Sequence, residues 1–500
     1  MDIDDIALSG SSSSFQNGSL TIAFIRPVRL GNIEDIMQID EFTNKFLHME
    51  MQEQFFQART PNGDPLWDVV RYYVFISLYD EIIEPAHSRP SFSHQSRQSW
   101  LNSLFTVRLK VLSTATQLTR LVRLKPTDFV AYVYSRNKDA NNQPIDSASA
   151  DAFQELMKMG SILKVESEQK LLQDVNIAPL YRAFARVVPW PAGVKDYIHK
   201  FTQAIANAQG HYFGVIDPNL SKLALTTYRY YLIQRQVWRR ILDRSQPRLI
   251  LMTQNGIQKG LIVEARKRHI PVVECQHGVI NLMHPCYTYP PELLSGDAVL
   301  LPDALLLFSD YWKDQCRMPG TKMAVVGNNR FSSAGVQSTR TGAAVLLDAA
   351  SFHKHLSPLA IELARLMPEQ RFIIKLHPTD VLDREKIEKE YQGIPNISVV
   401  GAEKSCAELF ADASDVVVIQ STASYEALDR GVPVHFFRRA GYISHQDLFA
   451  QSGVHLFSST EELSCALFKP RASSERIPRY FDDFDSMAFR ALVQVLCSEA

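Results

Sequence analysis

Five short stretches place polar or ionisable side chains at the ends of apolar runs, and those are the positions where chemistry is to be expected. In PVVECQHGVI (271–280) the apolar pair Val272 and Val273 is followed by Glu274, Gln276, His277 and Gly278. An imidazole titrates near neutrality and can take or give a proton, and glycine leaves room for a ligand to approach. MTQNG (252–256) ends in a similar way, with Gln254 and Asn255 before a glycine. RFIIKLHPTD (371–380) runs into Lys375, His377 and Pro378; proline stops a strand and fixes the direction of the chain, and a lysine with an imidazole suits a phosphate. DVVVIQSTASYEALDRGVPVHFF (415–437) carries Gln420, Ser421 and Thr422 at the start of a helical pattern, with Glu426 about one turn on. Hydroxyl residues at a helix start expose backbone N–H groups to an anion, and Glu426 can accept from a ribose diol. Equally, these residues can form a capping arrangement with no ligand. VVGNNRFSS (325–333) offers Arg330, which suits a diphosphate or carboxylate in fork geometry or an interdomain salt bridge.

The elements that must hold these residues are strands. Nearly continuous apolar runs are expected as strands at 20–26, 128–135, 248–253, 271–276 and 303–308, and in a second set at 322–327, 342–348, 371–376, 396–401, 415–420 and 432–437. Between them lie helical patterns such as 257–269 and 356–367. Apolar strands alternating with helices imply parallel sheets covered on both faces. The break between the sets falls near 310–325, so two doubly wound domains are expected, facing each other. Ligands of such sheets bind beyond the carboxyl ends of the strands.

The chain's 500 residues are too many for one ordinary core. At 46% apolar and 21% charged residues the composition is that of a globular enzyme. A net charge of −1 gives no overall field to gather nucleic acid. The 6 cysteines form no CxxC pair, which favours a reducing compartment and no structural zinc. No apolar run approaches the roughly 20 residues of a membrane span, and the acidic, Ser-rich start is unlike a signal peptide. A cytoplasmic protein is expected, with residues 1–19 flexible. Between Glu84 and Asp128 every charged residue is basic, which marks either a solvated helix face or a surface for anionic lipid.

The ordered set ECQHGVI…HPCY, KLHP and QSTASYEALDRGVPV resembles bacterial surface-polysaccharide glycosyltransferases of GT-B fold. The relatives are the capsule and lipopolysaccharide enzymes that transfer Kdo or sialic acid and carry a His-Pro motif, with the polyglycerolphosphate polymerases further away. The resemblance is densest over 248–440. It implies two Rossmann-like domains with parallel sheets facing across a cleft: an acceptor-side domain over 20–315, a donor domain over 316–480, and a C-terminal helix over 481–500 that crosses back. It implies a nucleotide-sugar donor, CMP-Kdo-like before UDP-linked, and a glycan or lipid-linked glycan acceptor, with peripheral contact at the inner membrane. No cofactor and no metal are implied. His377 and Pro378 would bind the donor phosphate, with Lys375, Arg330, Gln420, Ser421, Thr422 and Glu426 completing the donor site. Gln254, Asn255, Gln276 and Gly278 would line the acceptor side. His277 would act as general base or contact the donor, with Glu274 or Asp303 as the alternative base and His284 as a structural residue. The glutamate pair of many retaining relatives would need an acid at position 418, which is Val418. A polyol-phosphate transferase using a CDP-activated donor, a nucleotide-sugar epimerase and a non-catalytic binding protein fit the same motifs.

Overall fold

The computed structural model describes residues 34–83, 112–134, 137–138, 144–166, 175–293, 299–331, 342–349, 352–377, 384–439, 442–467 and 478–499. The N-terminal segment 1–19, the strand expected at 20–26, most of the basic stretch and Pro378 lie outside them. Two all-parallel sheets organise the rest. The first contains β1 (Phe129–Val133), β2 (Ile162–Glu166), β3 (Val175–Asn176), β4 (Leu249–Met252), β5 (Val272–Cys275), β6 (Ala304–Leu307) and β7 (Lys322–Val325), in the order β3-β2-β1-β4-β5-β6-β7. The second contains β8 (Ala344–Asp348), β9 (Phe372–Leu376), β10 (Ile397–Val400), β11 (Asp415–Val418), β12 (Val434–Phe437) and β13 (Val454–Phe457), in the order β10-β9-β8-β11-β12-β13.

The sequence grouping assigned 322–327 to the second domain. Instead β7 pairs in parallel with β6, Ala304 opposite Lys322. The polar stretch between them is a crossover carrying a 3-10 turn at Asp310–Lys313, not an interdomain linker.

Strand alternation sends successive side chains to opposite faces. In β1 and β4, Phe129, Ala131, Leu249 and Leu251 enter one apolar cluster, while Val130, Tyr132, Ile250 and Met252 enter another. The second cluster is closed by two long helices, α1 (Leu66–Ile83) and α2 (Leu220–Ser245). In α2 the buried residues Ala224, Tyr228, Tyr231, Trp238 and Leu242 recur at helical spacing. The first face is closed by α3 (Ser486–Glu499), the last helix of the chain, through Phe489, Val493 and Leu496. The segment before α3 is stitched to the carboxyl ends of β6 and β7: Asp482 N–H donates to Phe308 O at 2.8 Å, Asn328 N–H to Asp482 O at 2.9 Å and Asp485 N–H to Val326 O at 2.7 Å. Among the described residues no helix is long and apolar enough to cross a membrane.

Candidate functional site

Each sheet reverses its strand order once, between β1 and β4 in the first and between β8 and β11 in the second. Loops leaving such a switch point part in opposite directions and open a crevice. Thr253, Gln254 and Asn255 leave β4 at the first switch point, and Gln420, Ser421 and Thr422 leave β11 at the second. His277 and Gly278 follow β5, beside β4; His377 follows β9, beside β8.

On the first sheet, Glu274 is completely buried. Its Oε1 accepts the backbone N–H of Asn255 at 3.0 Å, and its Oε2 accepts the Asn255 amide at 2.8 Å. The Tyr287 hydroxyl lies 2.7 Å from Oε1 and 3.3 Å from His277 Nδ1. Burial raises the Glu274 carboxyl above the ordinary carboxylate range, and the Tyr287 and Asn255 donors oppose that rise. Gln254 holds a left-handed backbone (φ 64°) and is 5% exposed; its Oε1 has no hydrogen-bond partner among the described residues. A left-handed conformation is strained for a residue with a Cβ.

The second sheet contributes the opposite wall. Its short helix, α4 (Ala423–Asp429), is seven residues long, so its dipole adds little and attraction for an anion falls to side chains. Ser421 Oγ accepts the N–H of Ala423 at 3.2 Å, whereas the Thr422 hydroxyl makes no cap bond. Glu426 makes no reciprocal capping bond either, so the capping-box reading does not hold. Its carboxyl is enclosed with no hydrogen-bond donor among the described residues, and burial pushes it up to about 7, opposed by the nearby Arg430 and Arg330 guanidiniums. Arg430 is buried; Arg330, reaching over from the first domain, is exposed. Behind this wall, His445 Nε2–H donates to Ser421 O at 2.9 Å and its Nδ1 lies 2.8 Å from the Ser444 hydroxyl. Burial pulls His445 down to about 4, so it supports the loop as a neutral ring.

The two walls meet. A Cβ added to Gly278 would lie 3.7 Å from Thr422 Oγ1. Nearby, Asn281 Nδ2 donates to Ser444 O at 2.7 Å. Tyr311 from the first domain and Tyr425 from the second both donate to Asp447, at 2.5 and 2.7 Å.

Several expected site residues are placed differently from their sequence reading. Glu274 is completely buried, and the Tyr287 hydroxyl stands between it and His277. Gln276 is buried and its amide is engaged within the first domain: Nε2 donates to Gly278 O at 3.0 Å and Oε1 accepts Phe308 N–H at 3.0 Å, which shapes the loop. Asn255 turns its N–H groups to Glu274. Lys375 is buried and donates to Gly401 O at 2.6 Å and Leu376 O at 3.2 Å, bracing the sheet edge. Asp303 accepts Val272 N–H at 2.7 Å at the amino ends of the strands, away from the cleft, and is no candidate base. His284 is buried and accepts Cys286 N–H at 3.1 Å. His377 is exposed at the end of β9, its N–H on Asp348 O at 2.9 Å. Tyr287, Arg430, His445 and Asp447 were not singled out from the sequence. Tyr287 stands in the HPCY string, but nothing local to that string indicates its contact with His277.

No protein-family model and no curated protein matches the chain. Among solved structures, the UDP-GlcNAc 2-epimerase of Methanocaldococcus jannaschii, in complex with UDP-GlcNAc and UDP, is 11% identical over 74% of this chain and 99% of that one, at a TM-score of 0.44. The UDP-GlcNAc 2-epimerase of Neisseria meningitidis, bound to UDP-GlcNAc, is 15% identical over 68% and 89%, at 0.39. The glycosyltransferase SnogD of Streptomyces nogalater is 13% identical over 74% and 94%, at 0.40. Likeness at this level carries no argument about activity. Strand pairing and the meeting of the two walls make this chain a GT-B-like α/β protein, with two Rossmann-like domains facing across a cleft.

Proposed function

We propose that the protein is a glycosyltransferase that moves a sugar from a nucleotide-activated donor onto a growing surface glycan or lipid-linked acceptor. The observation that carries this reading is the approach of Gly278, beside the first switch point, to Thr422 at the second. In this reading the donor lies on the second domain. Its ribose hydroxyls donate to Glu426, the one carboxyl of the α4 wall whose oxygens have no donor among the described residues. Its phosphate is met by the Thr422 hydroxyl and by Arg330 and Arg430, whose fixed charges stabilise the leaving group without a metal. The family resemblance adds His377 and Pro378 to the phosphate site and favours a CMP-linked sugar such as CMP-Kdo, in capsule or lipopolysaccharide synthesis. His277, on the acceptor wall, takes the proton of the attacking hydroxyl.

Thermal shift against CMP, CDP, UDP and GDP tests the donor site. A ligand that binds the folded state at about 100 times its Kd stabilises it by roughly 2.7 kcal/mol. CMP is expected to raise the melting temperature. A rise with UDP or GDP alone would replace the CMP-sugar assignment by a UDP- or GDP-sugar one, and no rise with any nucleotide would remove the donor site. Consumption of a UDP-sugar with no acceptor present would mark an epimerase instead.

A further inference from the structure

The row of hydrogen bonds behind His277 determines where its proton sits. A tyrosine hydroxyl has one proton to give. An ionised carboxylate only accepts, and a backbone N–H can only donate. At Glu274, Oε1 faces the Asn255 N–H and Oε2 faces the Asn255 amide, so both oxygens are already held as acceptors. Tyr287 therefore gives its proton to Glu274 across 2.7 Å. The phenol oxygen can then only accept from His277, across 3.3 Å, which requires the hydrogen on Nδ1. In a neutral imidazole with Nδ1 protonated, the basic lone pair is on Nε2.

His284 packs edge-on against the Tyr287 ring at 4.5 Å, and burial holds it well below the ordinary histidine range, so it stays neutral. The nearby cations have partners of their own: Lys259 pairs with Asp68 at 3.1 Å and Arg71 with Glu50 at 2.6 Å. Arg71 also donates to the carbonyls of Pro285 and Thr288, fixing the backbone on both sides of Tyr287.

We propose that Tyr287, oriented by Glu274, is a positioning residue that locks His277 in its Nδ1–H tautomer and makes Nε2 the nitrogen that accepts the proton of the attacking hydroxyl. The second half rests on the transferase reading above. In the step, the acceptor oxygen bonds to the anomeric carbon and its proton passes to Nε2. The bond from that carbon to the donor phosphate oxygen breaks, and its electron pair leaves with the nucleotide. The imidazolium keeps its Nδ1–H bond to Tyr287, with the Glu274 charge one hydrogen bond further back.

Long-range proton–nitrogen NMR on the full-length protein, labelled at histidine nitrogens and assigned with H277Q, reads the tautomer directly. The wild type is expected to show Nδ1–H. In Y287F, which keeps the ring against His284, the signal should move to a mixture. E274Q should move it less than Y287F, because the amide oxygen stays on the Asn255 N–H and still accepts from the phenol. An Nε2–H wild type, or an unchanged signal in Y287F, would overturn the tautomer lock whatever the enzyme's activity. In turnover, Y287F is expected to lower kcat by about 10²-fold with donor KM and nucleotide thermal shift unchanged. Unchanged kcat would overturn the positioning role. A wild type that no nucleotide stabilises would count against the transferase reading alone, since the NMR result does not depend on it.

Discussion

At Glu426 a carboxyl is enclosed with two guanidiniums nearby but no hydrogen-bond donor among the described residues, and burial raises its pKa. Its folded value of about 7 lies above the ordinary 4.5. Proton uptake therefore stabilises the fold fully below pH 4.5, and this contribution is lost as pH rises through 7. Each pH unit of difference corresponds to about 1.4 kcal/mol, so the ionised carboxylate costs about 3–4 kcal/mol at pH 8. E426Q does not titrate. Its melting temperature should match the wild type near pH 4.5 and exceed it at pH 8, while nucleotide stabilisation is lost. Equal melting temperatures at pH 8 would show that the carboxyl is not destabilised by burial. Retained nucleotide stabilisation would remove it from the donor site. The position of this glutamate was legible in the spacing of QSTASYEAL. Its missing donor was not, because that depends on what Arg330, Arg430 and the neighbouring loops leave uncovered.

Among the elements, the buried parallel strands were the most legible, because β1, β4 and β6 are unbroken apolar runs and β5, β8, β11 and β12 each carry a single polar residue in an otherwise apolar run. The edge strands β7 and β10 were expected, whereas β2, β3 and β13, at or beside an edge, were not. β2 carries Lys164 and Glu166, which pair at 2.6 Å, and β13 is only half-buried over most of its length, so neither shows a clear pattern. The function of a strand-end loop depends on its distance from the loop opposite, and Gly278 measures that distance. A Cβ there makes ordinary contact with Thr422 at 3.7 Å, so G278A should keep its melting temperature within about 1 kcal/mol of the wild type in stability. G278L projects further and should abolish CMP stabilisation with the fold intact, as circular dichroism and thermal shift together would show. Undiminished nucleotide binding in G278L would place the donor elsewhere.

For the whole molecule, the chain's return to the first domain is the contact with the largest consequence. Gly327 has φ 71°, and a Cβ on it would run into the backbone carbonyls of Asp482 and Asp483. G327A therefore combines left-handed strain with displacement of the segment that leads into α3. It is expected to cost about 2–4 kcal/mol, with faster proteolysis at 478–485 as the structural readout. A melting temperature equal to the wild type would show that the returning segment contributes little to stability. The Tyr311–Asp447 contact and the Asn281–Ser444 bond join residues more than a hundred positions apart. No periodicity over a short window contains them.

Read alone, the sequence determined the parallel α/β class, most strand positions and the polar strand ends, because each follows from local hydrophobic patterning and from where that patterning stops. The tertiary structure decided how those ends are used. It assigned β7 to the first sheet, engaged the Gln276 amide and the Lys375 ammonium with backbone groups, withdrew Glu274 behind Tyr287, and brought Gly278 to Thr422. Those outcomes depend on which distant donor meets which acceptor, and hydrogen bonds of that kind are set by strand pairing and domain packing, not by neighbours in the chain.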